Sequence, residues 1–192
     1  MINSQLNRVA VIFAGGKSSR MREDKSLMPF GGYKSIAEYQ YEKLSKIFDK
    51  VYISTKEDKF DFKANLIYDK YPESSPLVGL VSLFDTIKED KCFVLGVDVP
   101  FIDEVIINIL MKESDNITTI AKSPNGLEPL CGVYNRSILP LAKELLKDNN
   151  HKLNYLLKES NAKSIYFDNK DAFQNLNFID DYKEALSKSL LQ

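Results

Sequence analysis

Histidine and cysteine are almost missing from this chain of 192 residues, which has His151 alone of the first and Cys92 and Cys131 of the second. With no C-x-x-C pair and a single imidazole, the chain lacks the ligands of a zinc site. Both cysteines stand in apolar, strand-like runs, which predicts buried free thiols rather than a disulfide. An excess of charge is also missing. The 26 basic residues are balanced by 27 acidic ones, so the chain as a whole attracts neither nucleic acid nor a membrane, and an anionic ligand must be held by a local cluster. No apolar run approaches the ~20 residues of a membrane helix, and M-I-N-S-Q-L-N-R lacks the basic and apolar segments of a signal peptide, so a cytoplasmic protein is expected. Internal repeats, low-complexity tracts and linkers are absent as well. One domain over residues 1–192 is therefore expected, burying roughly 70% of the surface of the unfolded chain.

What is present begins with Val9 to Lys25, V-A-V-I-F-A-G-G-K-S-S-R-M-R-E-D-K. An apolar strand ends in Gly15 and Gly16 and opens into a loop carrying Lys17, Arg20, Arg22 and Lys25, an order that offers backbone N–H groups and cations to a phosphate chain. Two familiar motifs fail on spacing. A P-loop needs glycine where Val11 stands, and a dinucleotide fingerprint needs glycines at alternating positions, whereas Gly15 and Gly16 are adjacent and the next glycine is Gly31. The loop alone can also be read as two glycines ending a strand before a solvated, charged turn.

The rest of the chain alternates strands and helices. Ser35 and Glu38 form a capping box for a helix over about 36–48, and short strands are predicted at Val51 to Ser54 and Asn65 to Tyr68. Ser75 caps a helix with Pro76 at its first position. Cys92 to Val97 is the most continuous apolar run and predicts the central strand, ending near Asp98 and Pro100. Asp103 caps a helix whose apolar positions are Val105, Ile106, Ile109 and Leu110. Ile117 to Lys122 and Leu130 to Tyr134 predict an antiparallel excursion around the turn Ser123 to Gly126. Helices at Ser137 to Lys147 and Leu153 to Leu157, a strand at Ser164 to Phe167 and a helix from Asp180 follow. The pattern predicts a three-layer α/β domain with a mostly parallel sheet. Ligands of such sheets bind outside the carboxyl ends of the strands, where Gly15, Ser54, Asp69 and Asp98 all fall.

Asp98, at the mouth of the central strand, can hold Mg²⁺ against phosphate oxygens or simply shape a turn. Asp69, before Lys70 and close to Pro72, has the same two readings. Lys25 and Arg20 can lie against a transferring phosphate or decorate the surface. Asn175 and Asn177, in F-Q-N-L-N, can point amides at a polar ligand or shape the approach to the last helix. His151, just before a helix, reads as structural.

Taken together, these blocks resemble the molybdenum cofactor guanylyltransferases, within the wider sugar-nucleotidyltransferase-like superfamily. F-A-G-G-K-S-S-R-M-R-E-D-K is similar to the family's L-A-G-G-x-S-x-R-M-G-x-D-K, S-P-L-V-G at Ser75 to Gly79 to G-P-L-A-G, and G-V-D-V-P at Gly96 to Pro100 to C-D-x-P. E-P-L-C-G-V-Y at Glu128 to Tyr134 and F-Q-N-L-N resemble two further blocks, all in the family's order. The resemblance implies a Rossmann-like nucleotidyltransferase fold and transfer of GMP from GTP to the terminal phosphate of molybdenum-molybdopterin. It places Phe13, Ala14 and Gly15 against GTP, Lys25 at its phosphates with Arg20 as a second donor, Asp69 at the nucleoside, Asp98 at Mg²⁺ and GTP, and Asn175 and Asn177 toward the pterin. Ser54 stands where relatives often carry asparagine, Arg22 replaces a glycine, and Phe13 replaces a leucine. Transient contact with cofactor-delivery and molybdoenzyme proteins is also implied. The rival readings are a CTP-dependent cytidylyltransferase for the same pterin, or another nucleotidyltransferase, and a non-catalytic nucleotide-binding or chaperone-like module.

Overall fold

β-Branched and aromatic runs separated by capped helices produce one sheet with helices on both faces. In the computed structural model, residues 8–15 and 24–189 are described. The strands are β1 (Val9–Phe13), β2 (Lys50–Thr55), β3 (Asn65–Tyr68), β4 (Lys91–Gly96), β5 (Thr119–Ser123), β6 (Gly126–Asn135) and β7 (Lys163–Tyr166). The helices are α1 (Ile36–Ser45), α2 (Pro76–Phe84), α3 (Glu104–Glu113), α4 (Leu139–Lys147), α5 (Leu153–Glu159) and α6 (Ile179–Ser189). Sheet order is β3-β2-β1-β4-β6-β5-β7. β4 occupies the middle, as its unbroken apolar run requires, and β6 alone runs against its neighbours.

Alternation along each strand divides the core. Ala10, Ile12, Phe93 and Leu95 face a layer containing α1, α3 and α6, whereas Val9, Val11, Phe13, Cys92 and Val94 face α2, α4 and α5. The caps hold these helices where the sequence predicts. Ser35 Oγ accepts from Glu38 N–H at 3.0 Å, while the Glu38 carboxylate reaches back to Lys34 N–H rather than to Ser35. Ser75 Oγ accepts from Val78 N–H and Asp103 Oδ1 from Ile106 N–H. Both thiols are buried and unpaired with one another.

The departures have physical causes. On α3 the buried face is Ile106, Ile107 and Leu110; Val105 and Ile109 are exposed, because the face packed on the sheet is centred on the 106–107–110 side of the helix. The helix expected from Ser137 starts as a 3-10 turn, Arg136–Ile138, and becomes α-helical at Leu139, with Pro140 in the first turn where no donor is needed. β6 is twice as long as the predicted strand and carries a bulge. Ile120 pairs with Gly132 but Ala121 pairs with Glu128, so residues 129–131 leave the β5 ladder. Pro129, which cannot donate to a ladder, sits within that bulge.

Candidate active site

β1 is the point at which strand order reverses, since β2 and β4 flank it on opposite sides. The crevice at the carboxyl ends of β1 and β4 is therefore where an open α/β sheet binds ligands. Ala14 N–H donates to Ser54 O at 3.1 Å, and Val97 N–H donates to Phe13 O at 3.1 Å. These bonds fix the rim from which Gly15 and Asp98 project.

Three predicted residues from distant parts of the chain meet here. Lys25 Nζ lies 3.6 Å from Asp98 Oδ2 and donates to Asn177 Oδ1 at 3.2 Å. The backbone enforces this meeting, because Leu176 N–H donates to Asp98 O at 2.9 Å and locks the F-Q-N-L-N segment onto the turn after β4. Gly96 is needed for the same turn: a Cβ there would stand 2.7 Å from Asp98 Oδ1. Arg20 and Arg22, with Gly16 and Lys17, lie outside the described residues.

Two cavities open on this rim, and Pro76 lines both. The first, about 340 Å³, is lined by Phe13, Gly15, Ser54, Asp69, Ser74 and Gly79 among others. Its depth depends on Gly79, where an added Cβ would be 3.0 Å from Ser54 Oγ and 3.2 Å from the Phe13 ring. Burial pushes the Asp69 carboxyl above the usual range, against the opposing pull of Lys56. The space over Gly15 is open, with Ser54 O 4.0 Å from where a Cβ would lie.

The second cavity, about 400 Å³, has Asp98, Glu128, Leu130, His151, Leu153 and Asn175 among its walls. Burial raises the Glu128 carboxyl, opposed by a hydrogen bond from Ser123; Asp98 adds to the rise and Asn175 opposes it. His151 is placed structurally, as its sequence position predicts. Its Nδ1 is 2.9 Å from Ser75 Oγ and its Nε2 3.1 Å from Asn149 Oδ1. It thereby ties the start of α5 to the cap of α2.

Sequence reasoning missed two contributors. Lys59 binds the Asp24 carboxylate and donates to Ala14 O at 3.2 Å, joining the two ends of the segment between β1 and Lys25. Burial raises the Asp24 carboxyl, but Lys59 and Ser26 outweigh it and leave the group below the usual carboxylate range. Nothing in K-E-D-K-F distinguishes Lys59 from a surface lysine. The other is Gln40, buried in α1, whose amide donates to Gly96 O and Val97 O at 3.1 Å each. The largest of the three cavities, about 660 Å³, lies between α1, α3 and α6, and no residue of the motif blocks is in its lining. Its Lys43 is drawn down to about 8 by burial, against Asp103, and already donates to Pro100 O at 2.7 Å.

A family profile of the MobA-like NTP transferase domain matches residues 10–164, from β1 into β7. The chain belongs to that family. Among relatives of this MobA-like chain, a protein of Campylobacter jejuni subsp. doylei named molybdenum cofactor guanylyltransferase is 40% identical over 96% of the chain and 98% of the relative. One of the same name from Helicobacter pylori (strain G27) is 34% identical over 94% and 92%. The MobA-like fold is also that of the molybdopterin-guanine dinucleotide biosynthesis protein A of Archaeoglobus fulgidus, with a TM-score of 0.80 and 19% identity over 96% of this chain and 100% of that one.

Proposed function

We propose that this MobA-like chain, as a single nucleotidyltransferase domain over residues 1–192, transfers GMP from GTP to the terminal phosphate of molybdenum-molybdopterin. Pyrophosphate and molybdopterin guanine dinucleotide are the products. The observation that carries this reading is the meeting of Lys25, Asp98 and Asn177, with Asp98 in the wall of one of two cavities that share Pro76, which suits a phosphate junction between two substrates. The activity for which the relatives at 34% and 40% identity are named supports it.

In this reading GTP occupies the cavity of Gly15, Ser54, Asp69 and Gly79. Phe13 and Ala14 supply backbone at its edge and Asp69 contacts the nucleoside. Mg²⁺ fits the donors present, since it prefers one or two carboxylates together with ligand oxygens and water. Asp98 is such a carboxylate, and no group of three or more His, Cys, Asp or Glu able to hold a metal occurs among the described residues. Bound there, the ion would neutralise charge on phosphate oxygens. Lys25 holds the phosphates as a point charge, with Arg20 as a second donor. The attacking phosphate oxygen is largely ionised at neutral pH, its second pKa being about 6, so no general base is needed. The chain's task is alignment for in-line attack and charge stabilisation. Asn175 and Asn177 face the pterin, and the product passes by transient contact to cofactor-delivery and molybdoenzyme proteins. No described helix is long and apolar enough to cross a membrane.

The test is release of labelled pyrophosphate from each of the four nucleoside triphosphates with the pterin acceptor and Mg²⁺ present. Release from GTP alone is expected. A preference for CTP would transfer the reading to a cytidylyltransferase, and nucleotide binding without release would make the chain a binding module.

A further inference from the structure

The second cavity contains a carboxylate to which the phosphate chemistry assigns no task. Glu128 is half-buried at the start of the β6 bulge, among Pro76, Pro129, Leu130 and Leu153. The bulge is held in place: Tyr134, wholly buried, donates its hydroxyl to Pro129 O at 2.6 Å. The carboxylate is oriented as well. Ser123 Oγ donates to Glu128 Oε1 at 2.7 Å, and Asn175, whose amide donates to Phe173 O at 3.3 Å, lines the same cavity. Ser123 is a neutral donor, and Lys152, which also lines the cavity, makes no ion pair with Glu128, so a carboxylate is held in a mainly apolar pocket close to Asp98, an arrangement that costs stability unless a ligand supplies compensating donors.

An ionised carboxylate has about four lone-pair sites across its two oxygens and can accept two parallel N–H bonds from a flat partner. The apolar walls suit the faces of a planar ring, and a cavity of about 400 Å³ is large enough for one. The ligand class is therefore a planar heterocycle with two adjacent N–H donors on one edge. The 2-amino-4-oxopyrimidine edge has this pattern, and guanine and pterin share it. Guanine belongs with the other cavity, across Pro76, where Asp69 supplies its own carboxylate.

We propose that Glu128 determines specificity for the pterin acceptor, its carboxylate accepting hydrogen bonds from the ring N3–H and the 2-amino group. The inference rests on the reading that the acceptor is molybdopterin. Glu128 then reads the edge of the ring that Asn175 and Asn177 face.

Glu128→Gln keeps the shape but replaces one acceptor oxygen with an NH₂ that opposes the pterin donors. Loss of a charge-assisted pair predicts a KM for molybdopterin raised about 10- to 100-fold, with the KM for GTP and the Mg²⁺ concentration for half-maximal rate unchanged. An unchanged acceptor KM overturns the proposal. A raised KM for GTP would assign Glu128 to guanine, and a raised Mg²⁺ requirement would assign it to the metal; either overturns it too. A second measurement uses the unmodified protein: binding of free pterin is compared with that of lumazine, which carries a carbonyl in place of the 2-amino group, by fluorescence. Tighter binding of pterin is expected, and equal binding overturns the proposal even if the variant fails to fold. Absence of any GTP-dependent transfer by the unmodified protein would instead defeat the functional reading, with the pterin and lumazine comparison still deciding the role of Glu128.

Discussion

The cavity beside Gly15 and the cavity beside Glu128 share Pro76 as a wall, yet they are built by different means. The first is made from the carboxyl ends of three parallel strands, β1, β2 and β3, and from a helix that approaches closely because Gly79 has no side chain. The second is made where the one reversed strand bulges away from β5, and is completed by the start of α5 and by Asn175. Backbone position creates the first and side-chain placement the second. A parallel sheet reversing its strand order offers a crevice whatever its side chains are, whereas a bulge must be pinned, here by Tyr134. Under the proposed function, the nucleotide side thus belongs to the architecture and the acceptor side to local sequence.

Substitutions at the junction should disable both sides together. Asp98→Ala is expected to reduce Mg²⁺-dependent pyrophosphate release at saturating substrates by about 10³-fold, the scale of losing a fixed transition-state charge partner; an unchanged rate would remove Asp98 from the site. Lys25→Ala should slow turnover at least about ten-fold, with less loss of GTP affinity, because in the proposed function its point charge acts on the transferring phosphate. Steady-state kinetics with each substrate varied in turn separates the two effects.

The next pair should split the cavities. Gly79→Ala forces a Cβ against Ser54 Oγ and the Phe13 ring, and is expected to raise the KM for GTP several-fold while the acceptor KM stays within about two-fold. Tyr134→Phe removes the hydroxyl from Pro129 O, at a cost of about 1–2 kcal/mol in urea unfolding, and should raise the acceptor KM alone. Equal effects of either variant on both constants would mean that the cavities are one mechanical unit.

The smallest effect concerns Asp69. Burial holds its folded carboxyl above the ordinary value of 3.8, so between those two values the folded state binds a proton that the unfolded state has released. Stability therefore falls as pH rises through that window, and at pH 7 the buried charge is a standing cost. Asp69→Asn should raise the melting temperature of the ligand-free protein slightly at pH 7 and leave it unchanged near pH 3, while weakening GTP binding. A lower melting temperature at pH 7 would show that the carboxylate stabilises the folded state.

Much of the fold was legible because it depends on local chemistry. Ser35, Ser75 and Asp103 cap the helices that their positions predict, and the apolar run at Cys92 to Val97 marks the central strand. The limits of β6 were not legible, since Pro129 looks like a strand end and the pairing of Glu128, Leu127 and Gly126 with Ala121, Lys122 and Ser123 carries the strand past it. Val105 and Ile109 share helical spacing with buried neighbours but face outward, because spacing sets a face and not which part of it meets the sheet.

By itself, the sequence determined the order of strands and helices, the caps, the strand-end residues and, through its motif blocks, the family; these depend on short-range periodicity and on letters in order. Tertiary structure alone decided that Lys25, Asp98 and Asn177 meet, that Lys59 joins Ala14 to Asp24, and that Glu128 stands in an apolar cavity. Each of these pairings spans tens of residues and is set by strand order and by a bulge. Contacts of that range carry no signature in the spacing of either partner.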